Sequence, residues 1–307
     1  MKRLVLLERT FLISHIVSMV FGLAGILLVL PHPQLIASLP DFGQTAFAWS
    51  MAGGGVVYML LGTAAIAVYA YRTLGMWHWL SFMIPAVGIS LSSELLGTST
   101  GFPFGDYRYL TGLGYKIAGL VPFTIPLSWF YLGFAAYLLA RAGLDNSSLA
   151  KWLKFPIAIA LGSLLLTCWD FVLDPAMSQT TVPFWIWDSP GPFFGMPYQN
   201  FVGWLGTGAV FMTVAALCWK QRPVALPKKD LNLPLAVYLT NLAFSTVLSL
   251  AAGFVLPVLL GLLFGVIPAL AIYTMASAGE DTQAFESSTT FDEEKNGTKV
   301  PAGVLSK

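Results

Sequence analysis

Apolar runs with the length of transmembrane helices dominate the chain. About 20 consecutive apolar residues in helical form cross the hydrocarbon core of a bilayer. Eight runs of roughly this length occupy residues 10–30, 48–70, 79–96, 122–140, 153–174, 200–219, 233–251 and 254–275. Almost nothing separates the last two, so one bent helix there, giving seven spans, is the alternative. The pattern predicts an all-α, polytopic transmembrane helix bundle of about eight spans.

Composition agrees with a multi-pass integral membrane protein. Of the 307 residues, 56% are hydrophobic and 10% are charged, and the mean hydropathy is +0.73. Soluble domains carry about 25% charged residues, so the lipid bilayer is the expected surrounding. The net charge of +1 gives no reason to expect a nucleic-acid partner. The three histidines and two cysteines lack metal-ligand spacing, so we expect no metal and exclude a histidine-rich membrane di-iron oxygenase.

Basic residues concentrate on one side of the predicted spans. Only Arg108 and Lys116 fall in the loops of the opposite side, whereas the side that includes the N-terminus carries Lys2, Arg3, Arg9, Arg72, Arg141, Lys151, Lys154, Lys220, Arg222, Lys228 and Lys229. Lys and Arg near span ends favour the cytoplasm. We therefore predict a cytoplasmic N-terminus in the cytoplasmic (inner) membrane or its equivalent. Residues 1–276 would form the transmembrane domain, and the polar segment 277–307 a disordered cytoplasmic tail.

Five acidic residues gather on the other side of these spans. They lie near the ends of the third and fifth spans and in the loops that follow: Glu94, Asp106, Asp170, Asp174 and Asp188. The same two segments, 93–109 and 182–200, are rich in glycine, proline and aromatic residues. Long irregular loops are costly to order unless they pack or bind something. This face is the candidate functional site.

Asp170 and Asp174 are four residues apart, so they share one helical face. An aspartate at mid-bilayer costs about 2.5–3.5 kcal/mol on insertion scales and usually faces a bundle interior or a wet cavity. In one interpretation Asp174 ends the helix beside Pro175 and Asp170 is a structural hydrogen-bond partner. In the other, burial and the like charge leave one of the pair protonated at neutral pH, which would allow it to donate a proton.

The remaining polar candidates each have two interpretations. Glu94 is either a functional acid or the buried partner of Arg108, and Arg108 is either an ordinary loop residue or an ion-pair partner of Asp106 or Glu94. Asp106 could stabilise a turn or take part in function, whereas Asp188 is better explained as a loop-ordering residue. Asn200 lies on a stripe of small residues in the sixth span, which suits helix packing or substrate binding.

Aromatic residues surround these acids, namely Phe102, Phe104, Tyr107, Trp129, Trp169 and Trp187. Trp and Tyr favour the headgroup level of a membrane, but their ring faces can also stabilise a cation inside an apolar pocket. Acids and aromatic rings in an apolar enclosure suit protonation of a carbon-carbon double bond. The resulting carbocation could be captured by water.

Four blocks resemble a known family. "SELLGTSTGFPFGDYRY" (93–109), "VPFTIPLSWF" (121–130), "WDFVLDPAMS" (169–178) and "WIWDSPGPFFGMPYQNFVGW" (185–204) are similar to blocks of the integral-membrane carotenoid biosynthesis family. That family includes carotenoid 1,2-hydratases of the γ-carotene, lycopene and bisanhydrobacterioruberin types. The resemblance covers about residues 50 to 275.

The resemblance implies hydration of the terminal 1,2 double bond of a linear ψ-end group, which gives a tertiary 1-hydroxy carotenoid. It implies no cofactor, neither oxygen nor flavin nor NADPH. The expected partners are a linear or monocyclic carotene, the lipid bilayer and other enzymes of the carotenoid pathway.

Roles for individual residues follow from this chemistry and from their positions in the blocks. We expect Asp170 or Glu94 to donate the proton and Asp174 to hold the partner charge or orient water, with support from Asp106 and Asp188. Trp129, Trp169 and Trp187 would line the cation. Phe102, Phe104, Tyr107, Arg108 and Asn200 would complete the substrate site.

Three other functions remain open. A carotenoid cyclase begins with the same protonation and quenches the cation by ring closure. A prenyltransferase would need two aspartate-rich motifs on the cytoplasmic side, whereas this chain has a single DxxxD pattern on the other side. A carotenoid- or lipid-binding protein or a transporter could also place acids in a cavity without catalysing a reaction.

Overall fold

The computed structural model describes residues 1–145, 147–180, 182–222 and 228–276. The predicted cytoplasmic tail, residues 277–307, lies outside these ranges. Within them the chain is an all-α bundle, as predicted, and seven helices are long and apolar enough to cross a membrane. Many large apolar side chains on their outer faces are exposed, for example Ile13, Phe21 and Val247, which suits a surface that contacts lipid rather than water.

The elements follow one another in a simple order. The helices are α1 (Lys2–Ala24, extended by a π-helical turn at Gly25–Val29), α2 (Pro33–Ser38), α3 (Asp41–Thr100), α4 (Thr124–Asp145), α5 (Lys151–Ser178), α6 (Tyr198–Lys220), α7 (Asn232–Ala251) and α8 (Val255–Gly261), whose span continues to Ala276. The strands are β1 (Tyr107–Tyr109), β2 (Lys116–Ile117), β3 (Val121–Pro122) and β4 (Trp185–Trp187). The last two predicted spans are therefore separate helices, α7 and α8.

Helix α3 contains two of the predicted spans. Its 60 residues would extend about 90 Å if straight, about three times the thickness of a bilayer core. Gly75 has φ 84° and ψ 170°, outside the helical region, and glycine adopts such a conformation without a steric penalty. The break divides α3 into segments 41–74 and 76–100, which makes eight spanning segments.

The spanning segments alternate between two ends of the bundle. The basic end contains Arg72, Arg141, Lys151 and Lys220, and there His78 Nε2 lies 2.7 Å from the Arg222 carbonyl oxygen. The acid end is formed by residues 101–123, 179–180 and 182–197, from the segments that connect α3 to α4 and α5 to α6. Which end faces the cytoplasm stays a prediction from the basic residues.

Helix α4 is the centre of the bundle and α1 lies at its periphery. In the most apolar window of each, 89% of α4 but only 11% of α1 is buried, so α1 must be fixed by specific contacts. Arg72 donates to Glu8 at 2.7 Å near the basic end. Within the membrane span, His15 Nδ1 lies 2.7 Å from the Tyr58 carbonyl oxygen, and His15 Nε2 lies 2.9 Å from the Asn241 amide nitrogen. Such pairing is needed because lipid offers no hydrogen bonds to buried polar groups.

Two short sheets cover the acid end. Strand β1 pairs with β4 in antiparallel register, Tyr107 opposite Trp187 and Tyr109 opposite Trp185, so that the two long loops meet over the bundle. Strands β2 and β3 form a second antiparallel pair within the first loop. Phe104 anchors the loop that leads into β1.

Phe104 is held between two glycines of neighbouring helices. A Cβ atom on Gly97 of α3 would lie 2.8 Å from the Phe104 ring, and one on Gly203 of α6 would lie 2.5 Å from it. Both distances are far shorter than normal carbon contacts, so neither position tolerates a side chain without movement. Gly203, on the small-residue stripe of the sixth span, therefore serves packing.

We predict that Gly203→Ala lowers the free energy of unfolding by about 1–3 kcal/mol, the usual cost of overpacking. Gly206→Ala, three residues further along α6, is the matched control, because a Cβ there would meet no atom within 4 Å. The measurement is thermal unfolding of the micelle-solubilised protein followed by circular dichroism. Equal midpoints for the two variants would contradict the proposed packing of Phe104.

Candidate active site

A cavity of about 50 Å³ lies beneath the strand pair at the acid end. We call it the acid cavity. Helices α3, α4, α5 and α6 and the strands β1 and β4 supply most of its walls. Its polar and aromatic lining residues are Tyr58, Glu94, Phe104, Tyr107, Tyr109, Ser128, Trp129, Trp169, Asp170, Asp174, Trp185, Trp187, Asn200 and Trp204. The other lining residues are Met59, Leu113, Ile125, Leu173 and Met177. A volume of this size holds roughly three to five water molecules, or a water and a small branched group.

The strand pair directs four aromatic side chains into the acid cavity. Alternate residues of a strand point to opposite faces, so Tyr107 and Tyr109 share one face and Trp185 and Trp187 share the same face of the partner strand. Arg108, between the two tyrosines, points the other way and forms an exposed ion pair with Asp188. The strand pair therefore has an aromatic inner face and a charged outer face.

Glu94 is fixed by three donors. The hydroxyl groups of Tyr107 and Tyr109 donate to its Oε2, Tyr109 at 2.9 Å, and Trp129 Nε1 donates to Oε1 at 2.9 Å. A buried carboxylate with this many donors is well compensated as an anion. Burial, and then the negative charge of Glu94, raises the pKa of both Tyr107 and Tyr109 well above the usual value, so both phenols stay neutral and act as donors.

Asp174 is fixed in the same manner by the other strand. Trp185 Nε1 donates to Oδ2 at 2.9 Å, Trp187 Nε1 donates to Oδ1 at 2.9 Å, and the Ser178 hydroxyl donates to Oδ1 at 3.0 Å. Helix α5 continues through Pro175 to Ser178, so Asp174 does not end the helix. Its carboxylate instead connects α5 to β4.

Asp170 differs from the other two acids. It is 1% exposed and lines the acid cavity one helical turn before Asp174. Within the described residues, the one side chain found donating to it is Asn200, whose Nδ2 lies 2.7 Å from Oδ2. The other carboxyl oxygen, Oδ1, has no such donor. Asp170 is therefore the acid whose charge is least compensated by its surroundings.

Three tryptophans form an aromatic wall next to Asp170. The rings of Trp129 and Trp204 stack with centroids 4.0 Å apart, and Trp169 meets Trp204 edge to face at 5.8 Å. The Nε1 group of Trp169 is buried and has no hydrogen-bond partner among the described residues. Ring faces of this kind attract a positive charge.

The structure brings together nine of the thirteen residues predicted for the site. Asp170, Glu94, Asp174, Trp129, Trp169, Trp187, Phe104, Tyr107 and Asn200 all line the acid cavity. Among the described residues, no group of three His, Cys, Asp or Glu side chains has the arrangement of a metal site.

The other four predicted residues lie outside the acid cavity. Phe102 is 64% exposed. Asp106 is exposed and accepts a hydrogen bond from the Ser189 hydroxyl at 3.3 Å. Arg108 pairs with Asp188 rather than with Asp106 or Glu94. These residues order the two loops on the side that faces away from the cavity.

Comparisons with known proteins support a single family. A family model described as "Carotenoid biosynthesis protein" matches residues 54–268. The chain belongs to this carotenoid biosynthesis protein family. The matched region includes every residue that lines the acid cavity.

A curated relative is similar over part of its length. A protein named bisanhydrobacterioruberin hydratase, from Haloarcula japonica, is 37% identical over 121 residues, which is 39% of this chain and 39% of that protein. The match thus spans about two fifths of the relative. No solved structure matches the chain.

Tyr109, Trp185 and Trp204 also line the acid cavity, and none of them is among the thirteen residues predicted for the site. Tyr109 and Trp185 complete the patterns Tyr-Arg-Tyr and Trp-Ile-Trp, whose period of two indicates strands with both aromatic residues on one face. Trp204 is four residues after Asn200, so the two share one face of α6. These spacings would have been sufficient to predict that all three side chains face the site.

We predict that Tyr109→Phe lowers the free energy of unfolding by about 1.5–3 kcal/mol, because it removes a donor from the buried Glu94 carboxylate. Arg108→Gln, at the neighbouring position, is the matched control and should cost less than about 1 kcal/mol, since its ion pair is exposed. Denaturant unfolding in micelles measures both. A larger loss in Arg108→Gln than in Tyr109→Phe would contradict the assignment of inner and outer faces.

Proposed function

We propose that this protein is a carotenoid hydratase that adds water across the terminal double bond of a linear ψ-end group and yields a tertiary 1-hydroxy carotenoid. Membership of the carotenoid biosynthesis protein family supports a carotenoid substrate. The similarity to a protein named as a hydratase supports the reaction type. The arrangement of acids in the cavity supports the route.

The observation that carries the proposal is the contrast among the three buried acids. Glu94 and Asp174 each accept hydrogen bonds from three side chains, whereas Asn200 is the side chain that donates to Asp170. Three buried carboxylates in one small cavity cannot all be charged without a large cost. The acid with the fewest donors is the one best suited to hold the proton, which makes Asp170 the proton donor.

Hydration then proceeds in two steps. The Asp170 carboxyl group transfers its proton to C2 of the end group, the electron pair of the double bond forms the new C–H bond, and a tertiary cation is left at C1. A water molecule attacks C1 and forms the C–O bond. The surplus proton on that oxygen returns to the Asp170 carboxylate, so the sum is the addition of one water and the acid is restored.

The surrounding side chains stabilise the charge that develops between these steps. The faces of Trp129, Trp169 and Trp204 lie in the cavity wall next to Asp170, and the anions of Glu94 and Asp174 contribute a negative potential. Because electron-rich faces and fixed carboxylates are in place before the reaction, they favour the cation over the neutral alkene. The reaction is redox-neutral and consumes one water per end group, because the proton that Asp170 donates is returned to it.

The substrate reaches the site from the bilayer, because a linear or monocyclic carotene is insoluble in water. We place the protein in the cytoplasmic membrane or its equivalent, with the N-terminus in the cytoplasm, on the distribution of basic residues. Other enzymes of the carotenoid pathway are the expected suppliers of the substrate and users of the product.

Expression in a lycopene-producing bacterium tests this function. We predict a product heavier by one water, whose oxygen carries ¹⁸O when the cells grow in H₂¹⁸O, as measured by mass spectrometry of extracted pigments. Asp170→Asn should lower the rate by about 10²- to 10⁴-fold, the usual contribution of general acid catalysis.

Asp188→Asn is the matched control, because Asp188 is an exposed aspartate at the same end of the bundle and does not line the cavity. It should retain nearly full activity. A pigment of unchanged mass but altered chromatographic mobility would indicate cyclisation and contradict hydration. Full activity in Asp170→Asn would contradict the role of that residue.

A further inference from the structure

A second, larger cavity lies beside the acid cavity, and its lining includes the exposed apolar side chains of Phe21, Trp49 and Val57. Its volume is about 370 Å³, several times that of the acid cavity. One wall is α1, from Ser18 to Ile26, and the other is α3, from Ala46 to Tyr58. Along α3 this distance is about 18 Å. We call this cavity the α1–α3 groove.

The α1–α3 groove is apolar and is widened by glycines. Phe21, Trp49, Val57 and Phe244 are among its large apolar side chains, and the hydroxyl of Ser18 donates within its own helix to the His15 carbonyl oxygen. A Cβ atom at Gly22, Gly25 or Gly53 would meet no atom within 4 Å. Glycine is unfavourable inside a helix by about 1 kcal/mol relative to alanine. The open space at these three positions therefore comes at a cost in helix stability.

The groove and the acid cavity share a wall. Tyr58, Leu113 and Met177 line both of them, and each is less than 10% exposed. These three side chains belong to α3, the first acid-end loop and α5. The shared wall therefore consists of side chains from three different segments and not of one continuous helix backbone. Rotation of side chains would join the groove to the site of Asp170.

The small volume of the acid cavity makes such a connection necessary. About 50 Å³ accepts an end group and a water but cannot accept a long hydrocarbon chain. If an end group reaches Asp170, the remainder of the molecule must leave the cavity through one of its walls. The wall formed by Tyr58, Leu113 and Met177 leads into an apolar space that is open to lipid.

We propose that the α1–α3 groove binds the hydrocarbon chain of the polyene whose end group lies in the acid cavity, with Tyr58, Leu113 and Met177 as the movable wall between the two. This inference rests on the proposed function for the identity of the occupant. The groove selects a long, acyclic apolar chain that enters laterally from the bilayer, and the acid cavity selects the end group. Hydration therefore depends on the length of the substrate as well as on its reacting end.

Substitution of Gly53 by leucine tests the groove. The added side chain meets no protein atom at its Cβ but occupies the space meant for the polyene. We would produce Asp170→Asn and Asp170→Asn/Gly53→Leu proteins in a lycopene-producing bacterium and measure the lycopene retained per mole of purified protein from its absorbance. The Asp170→Asn background separates binding from turnover. The groove variant should retain at least about tenfold less lycopene.

Asp170→Asn/Gly88→Leu is the matched control, because Gly88 lies on the same helix, has no atom within 4 Å of its Cβ position, and lines neither cavity. It should retain as much lycopene as Asp170→Asn. Equal retention by the Gly53 and Gly88 variants, or no retention by Asp170→Asn itself, would overturn the inference.

A second measurement separates this inference from the proposed function. In the active protein, Gly53→Leu should slow hydration of lycopene and leave hydration of myrcene, a short hydrocarbon with the same type of end group, unchanged. Equal slowing of both would overturn the groove. If the wild type hydrates neither but lycopene retention still depends on Gly53, hydration fails as the function while the groove stands.

Discussion

The structure depends on one physical requirement: a carboxylate that is buried in a membrane protein needs hydrogen-bond donors around it. Glu94 and Asp174 lie on different helices, and each receives two of its donors from one short strand of the acid end, Tyr107 and Tyr109 for Glu94, and Trp185 and Trp187 for Asp174. Because β1 and β4 pair with each other, the two carboxylates, two loops and two helices form one unit. The third acid, Asp170, is left outside this set of donors, and on that difference we base the role proposed for it.

The rest of the bundle supports this unit. The break at Gly75 turns α3 back, so that its second segment brings Glu94 to the acid end beside α4 and α6. Close approach at Gly97 and Gly203 positions Phe104 and, through it, the start of β1. The peripheral helix α1 packs along α3 and is also held by buried polar contacts, and the groove lies between the two helices where glycines leave space. In our proposal, the substrate chain and the buried acids therefore occupy different parts of the same fold.

The sequence was sufficient for the helical bundle and for most of the site, for different physical reasons. Spans are predictable because a run of about 20 apolar residues has few alternatives in a membrane. Asp170, Asp174 and Glu94 were predictable because buried acids are costly and therefore rare. The pairing of β1 with β4 was not predicted, since three-residue strands carry little local signal and their partner is almost 80 positions away. Without that pairing, the donors of Glu94 and Asp174 and the partner of Arg108 could not be assigned, and Asp106 and Asp188 could not be separated from the cavity.

We propose that Asp170 holds the proton while Glu94 and Asp174 are carboxylates. Infrared difference spectroscopy on the membrane-embedded protein measures this directly, through the carbonyl stretch of a protonated carboxyl group. The predicted result is one such band in the wild type that is lost in Asp170→Asn and retained in Glu94→Gln and Asp174→Asn. A band that persists in Asp170→Asn and disappears in either of the other two variants would contradict the assignment.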